Sequence, residues 1–220
     1  MIRKVWEDIS KLWFTSDTHW GHENILTYCK RPWADVPSMN KGLVLNWNAV
    51  VPEGATVIHL GDVAMGKRAE NVPWLTWCRG SKIVVPGNHD NCWDKGRDGH
   101  STKHRDKHEE QYKEWGGISE IWQPPLELQL GIDGPVVTLA HLPDLEAGVN
   151  ADHSDEVRFE DFRPAHNPNQ WLLCGHVHEA WRYLGRRINV GVDVWNWAPV
   201  SAFAIKWHIE AAEKNPQLLQ

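Results

Sequence analysis

The stretch KIVVPGNHD, residues 82–90, runs from an apolar, β-branched sequence into a Pro-Gly break and three adjacent polar side chains. Apolar runs of this length, rich in Val and Ile and bounded by turn residues, read as buried strands. Asn88, His89 and Asp90 therefore fall at the carboxyl end of a strand. The same pattern recurs in LWFTSD (12–17), ATVIHLGD (55–62), PVVTLAH (135–141) and WLLCGHVH (171–178). Open α/β sheets build their sites at the carboxyl ends of strands.

Between the early runs lie helix-compatible stretches, SMNKGLVLNWNAVV (38–51) and the segment around Ala69–Cys78. Later strands come closer together, LELQL and PVVTLAH being joined by GIDG, a good hairpin turn. RINVGVDVWNW (187–197) adds strand, and SAFAIKWHIEAAEK reads as a closing helix with Ser201 as its N-cap. The expectation is an α/β (α+β) fold with helices outside the sheets, in one domain spanning 1–220. Two surface insertions are expected, at about 94–120 and 142–170. His100, His104 and His108 in the first have helical spacing and read as a solvated helix, the other reading being a contact for a substrate phosphate. Within the second, residues 144–161 are acidic, with Asp144, Glu146, Asp152, Asp155, Glu156, Glu160 and Asp161 against Arg158, and would repel a long polyanion near the site.

A net charge of -6 gives no nucleic-acid signal, so nucleic acid is not favoured as a partner. No window approaches the roughly 18 apolar residues of a membrane span, and the first residues acquire charge too early for a signal peptide. Cys29, Cys78, Cys92 and Cys174 lie far apart without a C-x-x-C pair, which fits reduced thiols and a cytoplasmic setting. Fifteen Trp supply packing area, whereas thirteen His exceed what packing needs.

The chemistry lies in the strand ends. Asp17 and His19 are two residues apart, as are His176 and His178, and strand positions i and i+2 face the same way. Gly175 before the second pair permits close backbone approach. Asp62, Asn88 and His141 end three further strands, making seven O and N donors. Alone, a D-x-H or a GD is an ordinary strand end or cap. The ordered set D-x-H, GD, GNHD, H, GHxH is specific. One ion seldom needs seven protein ligands, zinc taking about four. Two ions sharing a bridging carboxylate, about 3.5–4 Å apart, fit the inventory better. Imidazole, carboxylate and amide without thiolate suggest Mn, Fe or Zn rather than Ca or Mg alone; the expected cofactors are two divalent ions, Mn first, with Fe, Zn or Ni as other candidates.

The set resembles the calcineurin-like metallophosphoesterases. SDTHWGHENI, NWN (46–48), HLGDVAMG, PGNHD, AHLP, CGHVH and NVGVDVWNWAPVS are similar to the short bacterial and phage members, over about 15–205. The resemblance implies a four-layer αββα sandwich of two mixed β-sheets flanked by helices. It also implies that Asp17, His19, Asp62 and His178 hold one metal, and Asp62, Asn88, His141 and His176 the other, with Asp62 bridging.

The expected activity is hydrolysis of a phosphomono- or phosphodiester, small or nucleotide-like, by a metal-bridging hydroxide. His89, beside Asn88 but not spent on metal, is expected to assist the leaving group, with Asp90 orienting it. His22 and Arg31 are candidates for the substrate phosphate. His59 reads as a buried core histidine, Trp20 and Trp195 as packing, and His153, His166 and His208 as surface. The alternatives are a nuclease or protein phosphatase of the same superfamily, or a non-catalytic scaffold; the last expects eroded ligands, and none is missing.

Overall fold

Each of the five apolar runs forms a strand, and each strand stops short of the polar residues that follow it. In chain order the structure, a computed structural model describing residues 2–94, 104–147 and 159–219, contains β1 (Arg3–Trp6), β2 (Leu12–Thr15), α1 (Ile25–Tyr28), α2 (Val36–Val50), β3 (Thr56–His59) and α3 (Arg68–Asn71). There follow β4 (Ser81–Val84), α4 (Arg105–Gly116), β5 (Ile118–Ile121), β6 (Leu126–Leu130), β7 (Val136–Leu139) and β8 (Trp171–Cys174). The chain closes with β9 (Tyr183–Leu184), β10 (Arg187–Asn189), β11 (Val200–Ser201) and α5 (Ala202–Lys214).

The strands make two mixed sheets flanked by helices, as expected. One has the order β11-β2-β3-β4-β5, with β2 to β5 parallel and β11 antiparallel to β2. The other has the order β1-β6-β7-β8-β10-β9, with β6 and β7 forming the GIDG hairpin. Leu12, Phe14, Ile58, Leu60 and Ile83 of the first sheet share a core with Leu128, Val137, Leu139, Leu173 and Ile188 of the second. On the first sheet's other face, Val57 and Val84 pack with Met39, Leu43 and Trp47 of α2 and Tyr112 of α4.

Local chemistry starts these helices. The Asp35 carboxylate accepts from the Ser38 N–H at 2.8 Å, and Pro37 occupies the first turn of α2. Met39, Leu43 and Trp47 then recur at a spacing of four and are fully buried, each burial contributing roughly 1.5–3 kcal/mol. Ser201 caps α5 by accepting from the Ala204 N–H at 3.2 Å, and Ile205, Ile209 and Ala212 enter the core between the sheets.

Several expectations need correction. RINVGVDVWNW is strand only over Arg187–Asn189 and then turns through a 3-10 segment at Val192–Val194. The segment about 94–120 is not merely a surface addition, because β5 joins the first sheet and Tyr112 is fully buried. Likewise, in 142–170 Asp144 is buried and holds Arg187 through both carboxylate oxygens, at 2.8 and 2.7 Å. His208 is not on the surface: its ring is buried and stacks on Tyr183 at 3.7 Å. His166 lies 3.3 Å from Asp144. His100 and His153 fall outside the described residues, and no described helix is long and apolar enough to cross a membrane.

Candidate metal centre

The ligand loops are built by backbone that has left the strands. Asp17, His19, Asp62, His176 and His178 all have positive φ, between 45° and 69°. Left-handed non-glycine residues cost roughly 1–3 kcal/mol each and persist only where their surroundings dictate them. Strand alternation, the basis for pairing Asp17 with His19, is thus not what joins them; a left-handed turn is. Bonds between the first two loops hold it, from the N–H groups of Asp17, His19 and Trp20 to the carbonyls of Gly61, Asp62 and Val63, at 3.0–3.1 Å. Gly175 lies so close that a Cβ there would sit 2.0 Å from Ser16 Oγ and 2.5 Å from Asp17 Oδ2. At Gly87 a Cβ would meet Asp62 Oδ1 at 2.4 Å.

The loops bring the donors into two buried sets. Asp17, His19 and His178 offer ligand atoms within 4.8 Å of one another, and so do Asp62, His141 and His176. Asp62 Oδ2 joins the sets, lying 3.7 Å from His19 Nε2 and 3.2 Å from His141 Nε2. Asn88 Oδ1, both ring nitrogens of His19 and His141 Nε2 are buried without a hydrogen-bond partner. Buried polar atoms are almost always satisfied, so orphans gathered at one place imply a ligand. The tautomers agree: His141 Nδ1–H donates to the Leu60 carbonyl at 2.7 Å, leaving the Nε2 lone pair facing the site. The residues present fit two divalent cations.

Charge supports the same reading. Burial pushes the Asp17 carboxyl up and the His19 and His176 imidazoles well down. Asp62 is held far below the usual carboxylate range despite its burial, because His141 and His89 face it. His141 rises to about 9, the Asp62 and Asp17 carboxylates outweighing its burial. Divalent ions would supply the positive charge that protons otherwise bring to this site.

A second layer of residues fixes the ligands, and two sequence assignments change. Arg31 is not at the substrate position: its side chain is fully buried. Its Nε and Nη2 donate to Asp193 at 2.8 and 3.0 Å, and further bonds reach the backbone oxygens of Thr18 and Asp17 at 2.9 and 2.7 Å. Asp193 lies 3.2 Å from His178 Nδ1 and thereby orients that ring. Its carboxyl is pulled down to about 2, Arg31 outweighing burial. Cys29, His178 and Asp193 form a third cluster, but the Arg31 guanidinium already supplies its positive charge.

Asp90 does not orient His89. The Gly87–Asp90 segment is a turn closed by Asp90 N–H donating to the Gly87 carbonyl at 3.0 Å, and the Asp90 carboxylate points inward. It accepts from the N–H groups of Asp62, Val63 and Gly87 at 2.7, 3.1 and 2.9 Å, and from the Tyr112 hydroxyl at 3.3 Å. Its work is to hold the loop that carries Asp62.

His89 lies outside both sets, with its side chain 24% exposed and Nε2 4.0 Å from Asp62 Oδ2. Its main chain is fixed at both ends: the N–H donates to Asp62 Oδ1 at 2.9 Å, and Arg68 Nη2 donates to its carbonyl at 2.8 Å. His22 sits beside the first set, its ring 5.3 Å from that of His19 and its Nδ1 without a partner. Burial lowers it to about 4, so it stays neutral. His59 is a core histidine: Gly61 N–H donates to its Nδ1 at 3.2 Å and its Nε2 meets Thr18 Oγ1 at 2.9 Å. Asp193, Arg68 and Tyr112 were not singled out by sequence, since each acts through another residue and belongs to no ligand motif.

The pattern of the calcineurin-like phosphoesterase family matches residues 10–180. An uncharacterized protein of Methanocaldococcus jannaschii is 30% identical over 195 residues, which cover 87% of this chain and 86% of that protein. The Gene 66 protein of Mycobacterium phage L5 is 28% identical over 199 residues, covering 85% and 88%. A solved protein of unknown function from Aquifex aeolicus, 24% identical, is similar in fold with a TM-score of 0.56, covering 88% of this chain and 96% of that one. With its ordered motifs, its two mixed sheets and a match over most of its length, this chain belongs to the calcineurin-like phosphoesterase family.

Proposed function

We propose that this protein is a two-metal phosphoesterase that hydrolyses a small or nucleotide-like phosphomono- or phosphodiester. The observation that carries the reading is the pair of buried donor sets meeting at Asp62, with orphaned nitrogens on His19 and His141; the Asn88 oxygen is likewise buried and without a partner. Asp17, His19, Asp62 and His178 would hold one ion, and Asp62, Asn88, His141 and His176 the other. Manganese suits this imidazole, carboxylate and amide set, with Fe, Zn or Ni as competitors. When bound, two such ions lower the pKa of water and neutralise charge on the phosphoryl oxygens.

The chain's own residues do the rest. Asp62 stands between the sets, and its Oδ1 also fixes the His89 backbone. As water adds to phosphorus and the ester bond breaks, His89 Nε2 gives a proton to the leaving oxygen. The proton that the attacking water releases passes to solvent and solvent returns one to His89, so that water is divided between the phosphate and the alcohol. His22, neutral beside His19, would touch the phosphoryl group, whereas Arg31 and Asp90 hold ligands. All four cysteines are free and buried, in keeping with a reducing, cytoplasmic setting.

Hydrolysis of bis-p-nitrophenyl phosphate and p-nitrophenyl phosphate, with Mn²⁺ and then with a chelator, tests the proposal. Turnover of at least one ester, lost on chelation and regained with Mn²⁺, is expected. Turnover of neither with Mn²⁺, nor with Fe²⁺, Zn²⁺ or Ni²⁺ in its place, would leave the family fold without this activity.

A further inference from the structure

Among the described residues, none holds the His89 ring by a hydrogen bond. Its Nδ1 is buried without a partner, and its Nε2 stands 4.0 Å from Asp62 Oδ2. The neighbouring Asp90 carboxylate accepts from backbone N–H groups instead. A ring without such an orienter is placed only as well as its main chain is fixed. Two anchors fix that main chain. Asp62 Oδ1 accepts from the His89 N–H at 2.9 Å, and Arg68 Nη2 donates to the His89 carbonyl at 2.8 Å. Asp62 belongs to the donor sets, so its hold on His89 comes with the ligands. Arg68 belongs to neither set and can be changed without touching one.

The Arg68 anchor has a fixed base. The residue opens α3 and is 8% exposed. Burying a guanidinium is costly unless its donors are used. Here Nη1 donates to the Gly66 carbonyl at 2.8 Å while Nη2 reaches His89, so the planar fork bridges two main-chain oxygens. The segment behind it is tied as well. Met65 N–H donates to the Trp20 carbonyl at 3.0 Å, and Asn71 Nδ2 donates to the Met65 carbonyl at 2.7 Å. Trp20 directly follows His19. Arg68 therefore holds His89 in register with the loop that carries the first donor set.

We infer that Arg68 is a positioning residue that sets the reach of His89 to the leaving oxygen. The inference rests on the phosphoesterase reading, in which His89 gives that oxygen its proton. Arg68 also steadies the buried Asp90 carboxylate, and a purely structural role of that kind would affect every substrate alike. Positioning is selective. It matters for a leaving group that needs a proton and hardly for p-nitrophenolate, and a displacement of about 1 Å costs up to about 10²-fold.

Kinetics of the Mn²⁺-loaded full chain, beside ring-¹³C histidine NMR of the metal-free chain, separate the two roles. The substrates are phenyl and p-nitrophenyl phosphate, or the matching diesters. Arg68→Met is expected to lower kcat for the phenyl ester by about 10–10²-fold and for the p-nitrophenyl ester by at most about twofold, with KM and bound metal unchanged. Arg68→Lys, which keeps a charged donor, recovers most of the loss. In the metal-free chain the His89 signal, identified by its absence from His89→Ala, shifts in Arg68→Met while the other histidine signals stay. Equal losses for both esters, loss of metal or a general shift of the histidine signals overturns the inference, and so does no change at all. Should Arg68→Met not fold, Arg68→Gln is read by the same criteria. A protein that hydrolyses neither ester but whose His89 signal moves selectively refutes the phosphoesterase reading and leaves the anchor. A selective loss in His89→Ala without one in Arg68→Met refutes the role of Arg68 alone.

Discussion

Asp62→Asn is expected to reduce turnover by on the order of 10³-fold or more, and to cut tightly bound metal from two ions to one or none. The amide keeps the size of the carboxylate but removes its charge. Asp62 Oδ2 lies within 3.7 Å of His19 in one set and 3.2 Å of His141 in the other, so one substitution weakens both sites. Folding is expected to survive. The loop that carries Asp62 is tied down through its backbone, by Asp90 accepting from Asp62 and Val63 N–H groups and by His19 N–H donating to the Asp62 carbonyl. Metal analysis after gel filtration, beside a thermal melt, separates loss of ligand from loss of fold. Two retained ions with unchanged turnover would remove Asp62 from the bridging position.

His89→Ala is expected to lower kcat by about 10²–10⁴-fold, the usual contribution of a positioned general acid, while two ions stay bound. The ring belongs to neither donor set, and its side chain is partly exposed at the mouth of the site. What the protein fixes is its main chain, through Asp62 Oδ1 and Arg68, and alanine keeps those bonds. The loss should be largest for esters with poor leaving groups and smallest for p-nitrophenolate, which leaves without a proton. An equal loss for both leaving groups, with metal retained, assigns His89 to phosphoryl binding. Loss of an ion places it among the ligands.

The strands were legible because parallel strands buried on both faces are continuous apolar runs, as in ATVIHLGD and WLLCGHVH. Edge strands were not: in β1 alternate residues of RKVW are exposed, and its place beside β6 depends on tertiary pairing. The donors were legible because ligand chemistry restricts residue type and their order along the chain is specific. Their support was not. Arg31 and Asp193 are 162 positions apart, and nothing local in KRPW or GVDVW announces a buried ion pair. Asp90 misled for a related reason. Beside His89 in sequence it suggested a carboxylate–imidazole pair, but the turn at Gly87–Asp90 points its side chain at backbone N–H groups instead. The left-handed φ angles at five candidate ligands were equally hidden, since Asp and His carry no glycine-like sign of such backbone.

The seven donors are proposed to form one two-ion centre. Its most direct measurement is the content and position of Mn²⁺ in the chelator-stripped, reloaded wild-type chain, by metal analysis and anomalous diffraction. Two ions per chain are expected, about 3.5–4 Å apart with Asp62 between them. A single ion, or ions held away from Asp62, would contradict it.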